Sequence, residues 1–172
     1  MNRLARGFTL IEMIVVVAII VALAGVLVPI VTNELDDAKK SSAQATVNRL
    51  ATALTQYMKD TGFAPTGKNG LKEFHFLASK GDLPTQNDFA DGAVGSTDDF
   101  LTNDTFSVRN WRGPYLAETP SDPWGSAYLV NVNGFFNGKE RVWVISAGPN
   151  RTLETGAKST TLGGDDIGLF ID

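Results

Sequence analysis

Gly7-Phe8-Thr9-Leu10-Ile11-Glu12 opens directly into Met13–Val31, a run of 19 residues without a charged side chain. At about 1.5 Å per residue this run makes a helix of about 28 Å, the thickness of the hydrocarbon core of a bilayer. Ahead of it stands Met1-Asn2-Arg3-Leu4-Ala5-Arg6-Gly7. Arg3 and Arg6 keep that end on the cytoplasmic side under the positive-inside bias, so the rest of the chain is expected to face outward. A secretory signal also joins a basic start to an apolar stretch. Here the apolar run exceeds the usual length of such a signal, and no small-x-small cleavage site with a polar continuation follows it.

Helical character instead continues past Glu34. Ala43, Val47, Leu50, Leu54, Tyr57 and Met58 recur mostly at spacings of three and four and so share one helix face. A helix from Phe8 to Lys59 contains 52 residues and is about 78 Å long. A body of roughly 110 residues is too small to cover such a rod. The first half must therefore enter lipid or a bundle of identical helices. Pro29 removes a backbone donor and Gly25 weakens helicity nearby, which predicts a kink or local melting. Asp36 and Lys40, at i and i+4, are placed to pair on the surface.

Glu12 is the anomaly of the apolar stretch. A carboxylate at the edge of a membrane helix costs about 2–3 kcal/mol, less where it reaches the interface, so it invites a partner. The local reading is a capping box, Thr9-x-x-Glu12, in which the carboxylate satisfies backbone donors of the first turn.

Charge and composition narrow the function classes. With 15 basic and 19 acidic side chains the formal charge is −4, and without Met1–Gly7 the balance becomes 13 against 19, or −6. Such acidity argues against nucleic-acid binding, which needs clustered Lys and Arg to displace counterions. The absence of cysteine excludes disulfides, thiolate metal sites and a cysteine nucleophile. The sole histidine, His75, lies between Phe74 and Phe76 with no nucleophile elbow or metal-ligand spacing around it. Packing is its expected role, and no catalytic residues are expected.

In the body, Asp60–Pro65 combines turn formers with a proline that ends the long helix. Leu71–Lys80 is expected to form a short helix, and Pro84–Arg109 to be a long loop. Tyr128–Val132 and Arg141–Ile145 are β-rich runs separated by Asn133-Gly134 and Asn137-Gly138, which predicts a hairpin. Leu169–Ile171 supplies a third strand. The fold class is therefore α+β, a long N-terminal helix with a transmembrane first half, packed through its second half on a small antiparallel sheet.

Gly7-Phe8-Thr9-Leu10-Ile11-Glu12, after a short basic leader and before an apolar helix, resembles the prepilin-peptidase signal of type IV pilins and type II secretion pseudopilins. The resemblance implies cleavage between Gly7 and Phe8, N-methylation of Phe8, and pairing of Glu12 with the Phe8 amine of a neighbouring subunit. An amine and a carboxylate carry opposite charges at neutral pH, so pairing them relieves two poorly solvated groups and fixes axial register. Pro29 falls where these proteins often carry a helix-breaking proline. The implied segments are 1–7, a leader peptide; 8–32, a transmembrane and polymerisation half-helix; and 33–172, a periplasmic globular domain including the rest of the helix.

Further along, Asn110-Trp111-Arg112-Gly113-Pro114-Tyr115-Leu116 and Asp122-Pro123-Trp124-Gly125, followed by Tyr128, resemble the body of the major pseudopilin of type II secretion. Read by themselves, Trp111, Tyr115 and Trp124 are core fillers and Pro123-Gly125 shapes a turn. The pair Ser146-Ala147-Gly148-Pro149-Asn150 and Gly163-Gly164-Asp165-Asp166-Ile167 is similar to segments that enclose calcium in that family, which implies Asp165, Asp166 and Asn150 as ligands. Calcium takes six to eight oxygens in flexible geometry, and in a chain without cysteine it would staple the loop. Asn150 departs from the family's usual aspartate, and the intervening segment is longer and less acidic. The other acidic group, Asp88, Asp91, Asp98, Asp99 and Asp104, lacks regular ligand spacing and is expected to be a solvated loop.

The family resemblance implies a structural subunit of a secretion pseudopilus. It is single-pass in the inner membrane and polymerises into a homo-oligomeric helical filament. It also implies partners: minor pseudopilins, an inner-membrane assembly platform, and the prepilin peptidase and methyltransferase. The alternative is a type IV pilus or competence pilin for adhesion, twitching or DNA uptake, which the lack of cysteine and the Asp122–Gly125 segment disfavour.

Overall fold

The computed structural model describes residues 7–85, 92–137 and 140–171. It divides into two compact units, Met1–Lys39 and Lys40–Asp172. One helix, α1 (Leu10–Thr61, 52 residues), contributes to both. Its length equals the expected one, with both ends two residues later.

In the first unit, every described side chain from Gly7 to Lys39 is exposed. α1 continues unbroken through Gly25 and Pro29, so the expected melting does not occur. A proline removes a single backbone bond, and adding residues to an existing helix is favourable enough to carry the chain across. Asp36 and Lys40 do not close an ion pair; the ion pair among the described residues is Arg151 Nη2 to Asp82 Oδ2 at 2.8 Å. Both of its side chains are largely solvated, where such a pair contributes little.

In the second unit, α1 buries Ala43, Val47, Leu50, Leu54 and Tyr57, as their spacing predicts, together with Ala51 and Ala53. The helix ends at Gly62, whose φ of 76° lets its N–H reach back to the Met58 carbonyl at 2.9 Å. Glycine takes that left-handed position without the steric cost of a Cβ.

Among the described residues five strands follow: β1 (Phe76–Ala78), β2 (Val94–Ser96), β3 (Leu129–Asn131), β4 (Val142–Ser146) and β5 (Ile167–Ile171), ordered β2-β1-β3-β4-β5 across the sheet. The β3–β4 hairpin and the third strand, β5, form as expected. Three of the four pairings are antiparallel, but β1 and β2 run parallel, so the sheet is mixed. Two expectations fail along with that. Leu71–Lys80 contains β1 in place of a helix, because Phe76 and Leu77 are buried in opposite core layers and their backbone is paired on both sides. The 84–109 segment holds β2 and a short helix, α2 (Asp98–Leu101), which buries Phe100 and Leu101. A Cβ at Gly95 would sit 2.7 Å from the side chains of Leu77 and Phe74, so glycine is what admits β2 beside β1. Asp88 and Asp91 of the other acidic group lie outside the described residues.

Alternation along the strands separates two core layers. Leu77, Val130 and Val144 join Val47, Leu50, Leu54 and Tyr57 of α1 on one face. Phe76, Leu129, Trp143 and Ile145 cluster with Ala147 and Leu153 on the other. The second face is therefore covered by the segment after β4, the segment that carries the candidate calcium residues. Trp111 and Tyr115 pack against the first layer, with the Trp111 indole N–H donating to the Phe100 carbonyl at 2.9 Å. Trp124 is half-buried and belongs to neither cluster.

Candidate functional site

Two places carry the residues singled out by sequence, one at the start of α1 and one in the loop between β4 and β5.

At the start of α1, Thr9 and Glu12 form the reciprocal capping box. The Thr9 N–H and Oγ1 both donate to Glu12 Oε2 at 2.8 Å, and the Glu12 N–H donates to Thr9 Oγ1 at 3.3 Å. Free N–H groups of the first turn are thereby satisfied, and a negative charge sits at the positive end of the helix dipole. Glu12 Oε1 takes no hydrogen bond among the described residues. Phe8, beside the box, is 84% exposed. The local reading of Glu12 is thus realised with one carboxylate oxygen, on an exposed side chain. Downstream of this cap, α1 is long and apolar enough to cross a membrane by length and composition.

The β4–β5 loop is held by carboxylates. Asp166, 7% exposed, accepts through Oδ2 from the Glu154 N–H (3.0 Å), the Thr155 N–H (2.6 Å) and Thr155 Oγ1 (2.6 Å). Thr155 Oγ1 in turn accepts from the Gly163 N–H at 2.9 Å. Glu154 Oε2 accepts from the Asp165 N–H at 3.1 Å, and Asp165 Oδ2 from the Asn150 N–H at 3.1 Å. Gly148 lies so close to the Asp165 backbone that any Cβ there would collide with it. The structure therefore does bring Asn150, Asp165 and Asp166 into one loop. It adds Glu154 and Thr155, which sequence reasoning missed because they lie inside the longer intervening segment, outside both motif halves.

The donor set suits calcium only in part. Asp165 Oδ1 and Asp166 Oδ1 are both buried without a hydrogen-bond partner. A carboxylate oxygen stripped of water and donors is costly, and a hard cation would complete it. Burial pushes the Asp166 carboxyl above the usual aspartate range, against its bonds from Thr155 and Glu154, and the nearby Glu154 charge adds to the rise. Asn150 fits less well, since its carboxamide oxygen accepts the Thr152 N–H at 2.7 Å in a local turn. Among the described residues no three acidic or histidine side chains converge as a ready-made metal cluster.

A capping box opening a helix long and apolar enough to cross a membrane, whose second half packs on a small mixed sheet, is the arrangement of the type IV pilin-like fold. Comparison with known families agrees at both ends. Residues 2–28 match the prokaryotic N-terminal methylation motif, and residues 30–92 and 96–164 match the type II secretion system (T2SS), protein G family. The chain belongs to the type II secretion system protein G family. It is 34% identical over 134 residues to the type II secretion system core protein G of Pseudomonas aeruginosa, covering 77% of this chain and 78% of that one. The protein of the same name from Escherichia coli K12 is 30% identical over 150 residues, 87% of this chain and 86% of its own. That from Dickeya chrysanthemi is 30% identical over 169 residues, 98% and 88%. No solved structure gives a significant match.

Proposed function

We propose that the chain is a structural subunit of a type II secretion pseudopilus, polymerising through its N-terminal helix to drive export of folded proteins across the outer membrane. The observation that carries this is the first half of α1: an apolar surface exposed on all sides, headed by a carboxylate with one oxygen uncommitted. Burying such a surface is strongly favourable, at about 25 cal/mol per Å², and none of its described side chains is buried. Lipid covers it before assembly and neighbouring copies cover it in the filament. Peptidase cleavage between Gly7 and Phe8 creates the amine that Glu12 of an adjacent subunit receives, and the same enzyme system methylates Phe8. The body stands on the periplasmic side, and minor pseudopilins and the inner-membrane platform are the partners of assembly. The chain's role is structural, and the reading gives it no catalytic step. An adhesion or DNA-uptake pilin is not favoured by the family match.

In the same reading, calcium is held between the β4–β5 loop segments, with Asp165 and Asp166 as carboxylate ligands and Asn150 supporting the turn. The two buried, unpartnered Oδ1 atoms support this assignment. Bound calcium supplies charge neutralisation and a cross-link between the two ends of the loop.

The deciding experiment is intact-mass measurement on protein from cells with and without the prepilin peptidase. Loss of seven residues together with gain of one methyl group at Phe8, only when the peptidase is present, is expected. A chain cut elsewhere, or left whole in both strains, overturns the reading.

A further inference from the structure

We infer that Thr155 and Glu154 are positioning residues for the Asp165–Asp166 calcium site, an assignment that rests on the calcium reading above. Neither residue lies in the motif halves that suggested the site. Each performs a distinct task in the loop. Thr155 gives both its N–H and its hydroxyl to Asp166 Oδ2, at 2.6 Å each, and the same hydroxyl receives the Gly163 N–H. With the Glu154 N–H, three donors converge on one carboxylate oxygen. The carboxylate cannot rotate without breaking all of them, so its second oxygen, Oδ1, is held in place, buried and unpartnered. Glu154 does the reciprocal work. Its own carboxylate receives the Asp165 N–H, and its side chain lies against Gly164 so closely that a Cβ there would overlap it. Residues 154–155 and 165–166 thus clasp each other, amide to carboxylate in both directions, and the clasp fixes the backbone from which Asp165 also presents a buried Oδ1.

This arrangement explains how a loop lengthened between its two halves, with Asn150 in place of an acid, still offers organised oxygens. The ordering of the carboxylates is provided by the inserted segment itself. Groups that orient metal ligands through hydrogen bonds commonly change affinity 10- to 100-fold when removed. Thr155→Val keeps the shape and removes the hydroxyl; Thr155→Ser keeps the hydroxyl. Glu154→Gln keeps an acceptor for the Asp165 N–H, whereas Glu154→Ala does not.

The test is isothermal titration of calcium into the full-length protein in detergent micelles, after chelator treatment, with circular dichroism as a check on folding. Thr155→Val and Glu154→Ala are expected to weaken calcium at least about tenfold, while Thr155→Ser and Glu154→Gln stay within about threefold of the parent. If Thr155→Val does not fold, Glu154→Ala against Glu154→Gln decides alone. A parent that binds calcium, with all four variants binding equally, refutes the positioning role and leaves the calcium reading standing. A parent that takes up no calcium at millimolar concentration refutes both.

Discussion

The two halves of α1 share a backbone conformation and almost nothing else. From Leu10 to Lys39 no described side chain is buried, and over Met13–Val31 the surface carries no charge and is dominated by Val, Ile, Leu and Ala. From Lys40 to Thr61 polar residues face out and Ala43, Val47, Leu50, Leu54 and Tyr57 are sealed against the sheet. A helix that is apolar all round has no preferred face and is suited to a uniform apolar medium; a helix with one apolar stripe is suited to a single packed partner. Burial within the chain therefore measures different things in the two halves.

Mutation of equivalent apolar side chains separates them most sharply. Leu50→Ala, in the sealed half, should cost the body about 3–5 kcal/mol, read as a lowered urea midpoint of the full chain in mild detergent. Val21→Ala, in the exposed half, should leave that midpoint unchanged and instead reduce filament yield on overexpression. Equal loss of body stability from both would erase the distinction.

Within the body, Asp122 is next in size. It is 4% exposed, accepts the Trp124 and Ser126 N–H groups on Oδ1, and receives the Ser146 hydroxyl on Oδ2 at 2.7 Å. Asp122→Ala leaves these donors unpaired and should cost about 2–4 kcal/mol in the same unfolding measurement. Asp36→Ala, on the exposed helix, should cost less than about 0.5 kcal/mol.

Alkaline pH probes the sealed half through Tyr57. Burial pushes its phenol from 10.0 up to about 12, with the charges of Tyr115 and Asp104 adding to the rise. Because the folded state holds the proton more tightly, stability is intact below pH 10 and falls as pH rises from 10 towards 12, by roughly 2–3 kcal/mol when complete. Tyr115 and Tyr128 shift in the same direction. Tyr57→Phe should flatten that part of the thermal-midpoint profile. It should cost little at neutral pH, because the Tyr57 hydroxyl is buried without a hydrogen-bond partner.

Glu12 acts on stability only locally, its cap being worth about 1 kcal/mol of helix and nothing to the body. Its assembly phenotype should be large. Glu12→Gln keeps an acceptor for Thr9 but removes the charge, so it separates the two roles: filament yield in a sheared-filament assay should fall as far as in Glu12→Ala. Filaments at the parental level from Glu12→Gln would reduce Glu12 to a cap.

Much of this contrast was legible in the sequence. Hydrophobic periodicity located the buried stripe of α1, and strand composition with turn residues located the hairpin and β5. Those signals are local. Leu71–Lys80 misled because Phe74, Leu77 and Ala78 lie at helical spacing while Phe76 and Leu77 are claimed by strand partners far along the chain, at Val130–Asn131 and Val94–Gly95. β2 was invisible for the same reason: Val94-Gly95-Ser96 has weak strand propensity and exists because Gly95 fits against Leu77. At the candidate sites, Thr9 and Glu12 could be paired by their spacing of three. Thr155 and Asp166 could not, because eleven positions of loop separate them and no period connects loop residues.

The continuity of α1 through both units also has a mechanical side. Tension applied to the anchor passes along a ladder of helix hydrogen bonds into the strip occupied by Val47, Leu50, Leu54 and Tyr57. That strip is seated among Leu77, Val130 and Val144, so the load is shared across many contacts acting in parallel. A pull on the exposed end of α1 must then shear the whole face before the body yields.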